Sequence, residues 1–289
     1  MKIIITLLMF LFISSVYPAD KDRGRVMEEE PVGKEKIVMV SIKYGNGFID
    51  IGKSNRENVY EGEFIYKGYR PDIKYKVIGE EGYLDIYFSG DVSKGDDEEK
   101  SRRINSFDEL YDNEMMLKFN PEIPMNLDFD FGVIKGDLDL SGLSLKNIDL
   151  EVGVSKTEIF FLEPNPVVME SFSIEGGVGK LNIEKIGNAR LREFNFEGGI
   201  GSYELDFSGE YKENMEAKIE LGMGKLVLYL PTEIGTRITV DKTFLSSFSI
   251  DDVYKNGDVY TNDRWEKTRY NLDLNIETGP GKIDVIWVK

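Results

Sequence analysis

The chain has 289 residues, with 53 Asp and Glu against 36 Lys and Arg, a formal charge of −17, and neither histidine nor cysteine. Those two absences exclude a Ser-His-Asp triad, a cysteine nucleophile, a thiol redox pair, disulfides and the usual zinc sites. The acidic balance argues against nucleic acid and against anionic lipid head groups, and a hydrophobic share of 41% points to a packed core rather than a disordered tail.

Lys2 precedes an apolar run, Ile3–Ile13, and then the residues Ser14, Ser15, Val16, Tyr17, Pro18 and Ala19. A basic start, a short apolar run and small residues form a secretory signal peptide over 1–19, with cleavage expected after Ala19. The run is shorter than the roughly 20 residues of a membrane span; an uncleaved N-terminal anchor is the alternative. The expected location is the periplasm, the cell envelope or the exterior, with no stable membrane span once the signal is removed. Residues 20–36 are densely charged, contain Pro31 and read as a tether.

From Ile37 onward one phrase recurs: glycine, an outward residue, then apolar, polar, apolar. It begins at Gly47, Gly82, Gly136, Gly179, Gly201, Gly224 and Gly281, with Ser155 in place of glycine once. Strict alternation marks strands with one buried face, and recurrence near every 22 residues between Gly136 and Gly224 marks stacked units that cannot bury their apolar faces alone. One inward column is expected from Ile49, Leu84, Leu138, Thr157, Leu181, Tyr203, Leu226 and Ile283, and a second from Ile51, Ile86, Leu140, Ile159, Ile183, Leu205, Leu228 and Val285. The fold class is all-β: a repetitive stacked sheet, either a β-solenoid or a related rack, with little helix. An antiparallel meander or barrel is the competing architecture. The chain divides into 37–120, a first β region, and 121–289, a β-repeat region continuous with it.

Two stretches break the repeat. Asp91–Asn120 contains the one helix candidate, Ser106–Met116, with Ser106 as cap and Glu109 three residues later. Asp241–Tyr270 gathers Phe244, Phe248 and the partner-binding candidates Tyr254, Tyr260, Arg264, Trp265 and Tyr270, a mixture found at binding hot spots. The same rings would serve equally to cover the open end of a stack.

The position after the first inward residue is mostly acidic: Asp50, Asp85, Asp139, Glu158, Glu204 and Asp284. Lys156, Lys180, Lys225 and Lys282 stand two residues earlier on the same face, and such exposed pairs contribute about 0–1 kcal/mol each. Phe48, Tyr83 and Asp137 replace the lysine in earlier rungs. Asp137 with Asp139 is therefore the candidate metal site, for calcium, which needs several oxygen ligands. No other cofactor and no catalytic residue is expected.

Tyr60–Tyr66 (YEGEFIY) followed by Arg70–Tyr75 (RPDIKY) resembles the N-terminal domain of the toast-rack family of bacterial cell-envelope proteins. Asn120–Leu127 (NPEIPMNL) with Gly136–Leu143 (GDLDLSGL) resembles the later part of that domain. The Gly177-Val-Gly179 and Gly199-Ile-Gly201 rungs, and the closing Ile276–Ile283 (IETGPGKI), are similar to putative-adhesin and cell-wall-active-antibiotics-response domains. The resemblance covers nearly all of 37–289. It implies a stacked β fold in the envelope and supplies no catalytic residue. Together these readings describe a secreted, adhesin-like binding or scaffold module. Its partner would be a cell-wall or surface glycan or protein, and not nucleic acid. The alternative is a carbohydrate-active, polysaccharide-cleaving enzyme on the same solenoid, using paired carboxylates.

Overall fold

The computed structural model describes residues 23–89 and 112–289. The signal segment 1–19 lies outside them, as does most of the helix candidate. The described residues form one continuous sheet of seventeen strands. In chain order, β1 is Arg23–Pro31, β2 Ile37–Lys53, β3 Asn58–Lys67, β4 Asp72–Ile78, β5 Glu81–Phe88 and β6 Glu114–Phe119. The repeat region supplies β7 (Met125–Asp139), β8 (Leu145–Phe160), β9 (Met169–Glu184), β10 (Leu191–Asp206) and β11 (Met215–Pro231). β12 (Gly235–Lys242), β13 (Ser246–Ser249), β14 (Tyr254–Asn256), β15 (Val259–Thr261), β16 (Asn271–Thr278) and β17 (Gly281–Val288) complete it.

The long strands β2, β7, β8, β9, β10 and β11 stack in that order, each parallel to the next and in a register that shifts once, between Met125 and Asn126 of β7 against β8. Parallel pairing requires a crossover between successive strands, so the chain coils: the architecture is a β-solenoid, not a meander. Each long strand carries two legs whose inward residues differ in parity. In β8 the first leg buries Ile148, Leu150 and Val152 and the second Thr157 and Ile159; in β9 Phe172 and Ile174 are buried on the first leg and Leu181 and Ile183 on the second. A uniform strand of period two would turn the second leg inside out. The glycine segment between the legs absorbs the odd residue, as a bulge does, and both legs face one core.

At that bend adjacent rungs come close. A Cβ on Gly153 would lie 2.8 Å from the carbonyl oxygen of Gly132, and one on Gly222 2.7 Å from that of Gly199. Gly224 combines φ +138° with a Cβ position that would overlap the Gly201 carbonyl, so glycine there answers both backbone conformation and space.

The inward columns contain Ile49, Thr157, Leu181, Tyr203, Leu226 and Ile283, and beside them Ile51, Ile159, Ile183, Leu205 and Leu228, all buried. Val285 is only partly buried, and four expected members, Leu84, Ile86, Leu138 and Leu140, sit elsewhere. Ile49 pairs with Gly136 and Ile51 with Leu138, so the phrase at Gly136 runs two residues late and Ile134 holds the place of the turn glycine. Leu84 and Ile86 pair with Val40 and Ile42, on the first leg of β2. Any strand of the pattern Gly-x-apolar-x-apolar looks alike locally; only the neighbouring strand fixes its rung. The expected tether is in part a strand: β1 pairs antiparallel with β3 and buries Val26, with Arg25 bound to Glu63 at 2.7 Å. Met115 and Met116, from the helix candidate, lie in β6, which pairs with β2 and β3.

Between rungs, buried asparagines fasten the turns. Asn165 accepts from Leu145 N at 3.1 Å and donates to the carbonyls of Leu145 and Ala189 at 2.8 and 3.1 Å. Asn188 donates to Phe161 O at 2.7 Å and accepts from Glu210 N at 2.8 Å. Each amide side chain thus completes backbone groups that would otherwise be buried without partners. Inside, Phe161, Phe172, Phe194 and Phe207 form an edge-to-face file with centroids 5.9, 5.5 and 5.6 Å apart.

Both ends of the stack are closed by antiparallel strands. β4 covers β5, which lies on the first leg of β2, while β6, β3 and β1 extend the second leg. At the other end β16 and β17 pair with β11, and the earlier β12 and β13 pair with β16 and β17. The rung 271–288 is therefore inserted between β11 and β12/β13, and β15 and β14 extend β12 outward. Gly224→Ala tests the bend. A side chain held at that φ costs about 1–3 kcal/mol, so its thermal midpoint should fall clearly below that of the parent, by calorimetry.

Candidate functional site

The outward face of the bend carries the densest charge pattern. Five residues before each lysine of the repeat stands a carboxylate. Asp130, Glu151, Glu175, Glu197, Glu220, Glu277 and Asp241 are register partners in succession across seven strands. They form one wall of a groove of about 960 Å³, whose floor includes Gly132, Gly153, Gly177, Gly199, Gly222 and Gly279. Neighbouring rungs are about 4.8 Å apart, a spacing at which like charges repel by about 1 kcal/mol even in bulk water. Two lysines offset part of this: Lys43 meets Asp130 at 3.4 Å, and Lys218 binds Glu220. The hydrogen bond to Glu220 raises the pKa of Lys218, with the charges of Glu220, Glu277 and Glu197 adding to it. Glu151, Glu175, Glu197 and Glu277 form no ion pair with another described residue.

Three residues beyond the carboxylates runs an exposed apolar file: Val154, Val178, Ile200 and Met223 are 43%, 50%, 55% and 48% accessible. Two further along comes a lysine column, Lys135, Lys156, Lys180, Lys225 and Lys282, with Ser202 in the rung of β10. Lys156, Lys180, Lys225 and Lys282 thus share one column, as their spacing implies, and Lys135 rather than Asp137 occupies it in β7. Lys282 holds Asp284 at 2.8 Å.

The carboxylate wall was absent from the sequence reading, although it has a plain signal. An acidic residue stands two places before the groove-floor glycine in every rung from β7 to β11 and in β16, as in Glu151-Val-Gly153, Glu175-Gly-Gly177 and Glu277-Thr-Gly279. The acidic column that the sequence suggested is broken up. Asp50, Asp137, Glu158, Asn182, Glu204, Val227 and Asp284 share that register, while Asp139 pairs with Phe160 and Asp85 with Ser41.

Asp137 and Asp139 lie on the outer side of β7, and Asp139 accepts the Ser141 amide at 3.1 Å. Among the described residues no group of three or more metal-ligating side chains comes together, so calcium there would need oxygens beyond this pair. Asp50, next to Asp137, has its pKa raised, first by partial desolvation and then by Asp137 and Asp139, against the opposing pull of Lys118. A carboxyl raised in the folded state is penalised when ionised and carries no such penalty once protonated. Asp50→Asn should therefore melt above the parent at pH 7, with the gap closing as pH falls through the carboxylate range.

The aromatic candidates of 241–270 are spread over the end of the stack. Tyr254 is 70% accessible, whereas Tyr260 is buried and packs on Phe248 at 4.9 Å. Arg264 approaches Glu233 at 3.9 Å. Trp265 lies beneath the Arg237 guanidinium, 4.7 Å from its ring centre, and Arg237 is itself bound to Asp273 through Nε at 2.9 Å. Tyr270 packs against the core. Trp265→Ala removes a cation–π contact of about 0.5–2 kcal/mol together with ring packing; a lowered melting temperature is the expected result, read by circular dichroism.

Parallel coils with one inward face and columns of repeated outward side chains define a repeat β-solenoid. The chain belongs to the family described as "N-terminal domain of toast_rack, DUF2154", whose profile matches residues 17–184 and 171–229. No curated protein matches the chain. Among solved structures, a "putative cell adhesion protein" from Clostridium sporogenes ATCC 15579 is similar at 23% identity, covering 92% of this chain and 100% of that one, with a TM-score of 0.47. A "putative adhesin" from Bacteroides fragilis NCTC 9343 is 9% identical over 91% of this chain and 97% of that one, with a TM-score of 0.30. A "Putative lipid binding protein" from Parabacteroides distasonis ATCC 8503 is 12% identical over 91% and 96%, with a TM-score of 0.31. Among the described residues no helix is long and apolar enough to cross a membrane.

Proposed function

We propose that this protein is an exported cell-envelope component that acts as an adhesin-like binding or scaffold module and performs no turnover. The observation that supports it most is the form of the outer face. A carboxylate repeated once per strand over seven strands makes a surface of roughly 29 Å, at about 4.8 Å per strand, rather than a pit around one reacting atom. The rival, a polysaccharide-cleaving enzyme, needs one carboxyl kept protonated by its surroundings as general acid. Glu151, Glu175 and Glu197 are instead exposed and equivalent from rung to rung. Membership of the toast-rack family and the signal-like pattern of residues 1–19 support the envelope location.

The test is retention on a cell-envelope fraction. Wild-type protein should co-sediment with it, and Glu175→Lys/Glu197→Lys should lose most of that retention with an unchanged melting curve. Release of new reducing ends from envelope polysaccharide by the purified protein would replace this reading with the enzyme.

A further inference from the structure

The geometry points to a second copy of this chain as an occupant of the columned face, docked about a twofold axis parallel to the stack. The inference rests on the binding-module reading and gives it a partner. In the rungs of β8, β9 and β11 four outward features keep fixed offsets. A carboxylate stands first, as at Glu151, Glu175 and Glu220. The groove-floor glycine follows two residues later, at Gly153, Gly177 and Gly222. The exposed apolar residue is one further, at Val154, Val178 and Met223, and the lysine closes the set five residues after the carboxylate, at Lys156, Lys180 and Lys225.

A twofold axis along the stack keeps each rung opposite itself and reverses the strand direction across the contact. The position of the carboxylate then faces the position of the lysine: Glu151 opposes the second copy's Lys156, Glu175 its Lys180, Glu220 its Lys225 and Glu277 its Lys282. The apolar position faces the glycine position, so the ridge of Val154, Val178, Ile200 and Met223 enters the glycine-floored groove of the other copy. A twofold axis along the strands would instead set carboxylate on carboxylate and lysine on lysine. Charge and shape therefore select the same symmetry, and the contact is self-complementary, as an isologous dimer requires.

The strip has modest extent. Six rungs at about 4.8 Å by five residues at about 3.3 Å give on the order of 480 Å² per copy. That is below the roughly 600–1,000 Å² per partner of stable complexes, so the dimer should be weak and form in the micromolar range or above.

Sedimentation velocity from micromolar to submillimolar protein measures it. Wild type should shift from monomer to dimer with concentration. Glu151→Lys/Glu175→Lys/Glu220→Lys sets lysine against lysine across the rungs of β8, β9 and β11, and Lys156→Glu/Lys180→Glu/Lys225→Glu sets carboxylate against carboxylate there; each alone should dimerise at least tenfold more weakly. Mixed in equal amounts, the two should associate again as a heterodimer. Should a triple variant fail to fold, Ile200→Asp alone, at the centre of the ridge, should weaken the dimer at least tenfold. Monomeric wild type at every concentration, or charge-reversed variants that dimerise as the parent does, would overturn the inference. Monomeric wild type that still sediments with the envelope fraction overturns the dimer while leaving the binding-module reading intact; loss of both overturns both.

Discussion

Everything in this rack depends on bare backbone at the bend. Each rung lays its glycine segment against the carbonyls of the rung before it, too close for a side chain at Gly153, Gly222 or Gly224. That closeness keeps the two legs of every strand in one register, and the odd residue spent in the bend turns both legs toward one core. The buried columns that run through Leu226 and Leu228 on β11 follow from it. So do the outward columns, because a constant register copies any outward side chain from rung to rung.

The repeat was legible because its determinants are local. Glycine followed by alternation can be read from five residues, and the columns through Thr157, Leu181 and Tyr203 came from that alone. Errors arose where the local phrase was a mimic. Gly136 opens a perfect copy that belongs two residues late in its rung, and Gly82 opens another that pairs with the wrong leg of β2 for the expected column. The capping strands were hidden for a different reason. β1 and β6 are strands because β3 lies beside them, and no window of sequence around Val26 or Met115 contains that partner. The carboxylate wall escaped because the phrase was taken to begin at glycine, leaving Glu175 and Glu197 just outside its frame.

The outer surface sorts its charges rather than mixing them. The unbroken carboxylate column lies on one side of the bend and the lysine column on the other, with Glu158, Glu204 and Asp284 two residues beyond the lysines. Exposed ion pairs contribute little to stability, so folding exerts weak pressure on this arrangement in either direction. The cost of the sorted pattern is repulsion within each column, which Lys43 and Lys218 relieve only in part. The asparagine fasteners at Asn165 and Asn188 lie on the turns, away from those columns, and hold the rungs together independently of the charges outside.

The insertion of rung 271–288 between β11 and β12/β13 sets an order of assembly. In most solenoids each new coil adds to a finished edge, and stability grows unit by unit along the chain. Here the coil made by β12 and β13, with β15 as the antiparallel neighbour of β12, has no place on the stack until β16 and β17 arrive, though it is synthesised earlier. A chain emerging from a ribosome or a translocation channel would hold residues 232–261 without a docking site until residues 271–288 had followed. Those late strands act as a keystone: removing them would also release the segment beyond them and leave the whole length of β11 exposed as a sticky parallel edge.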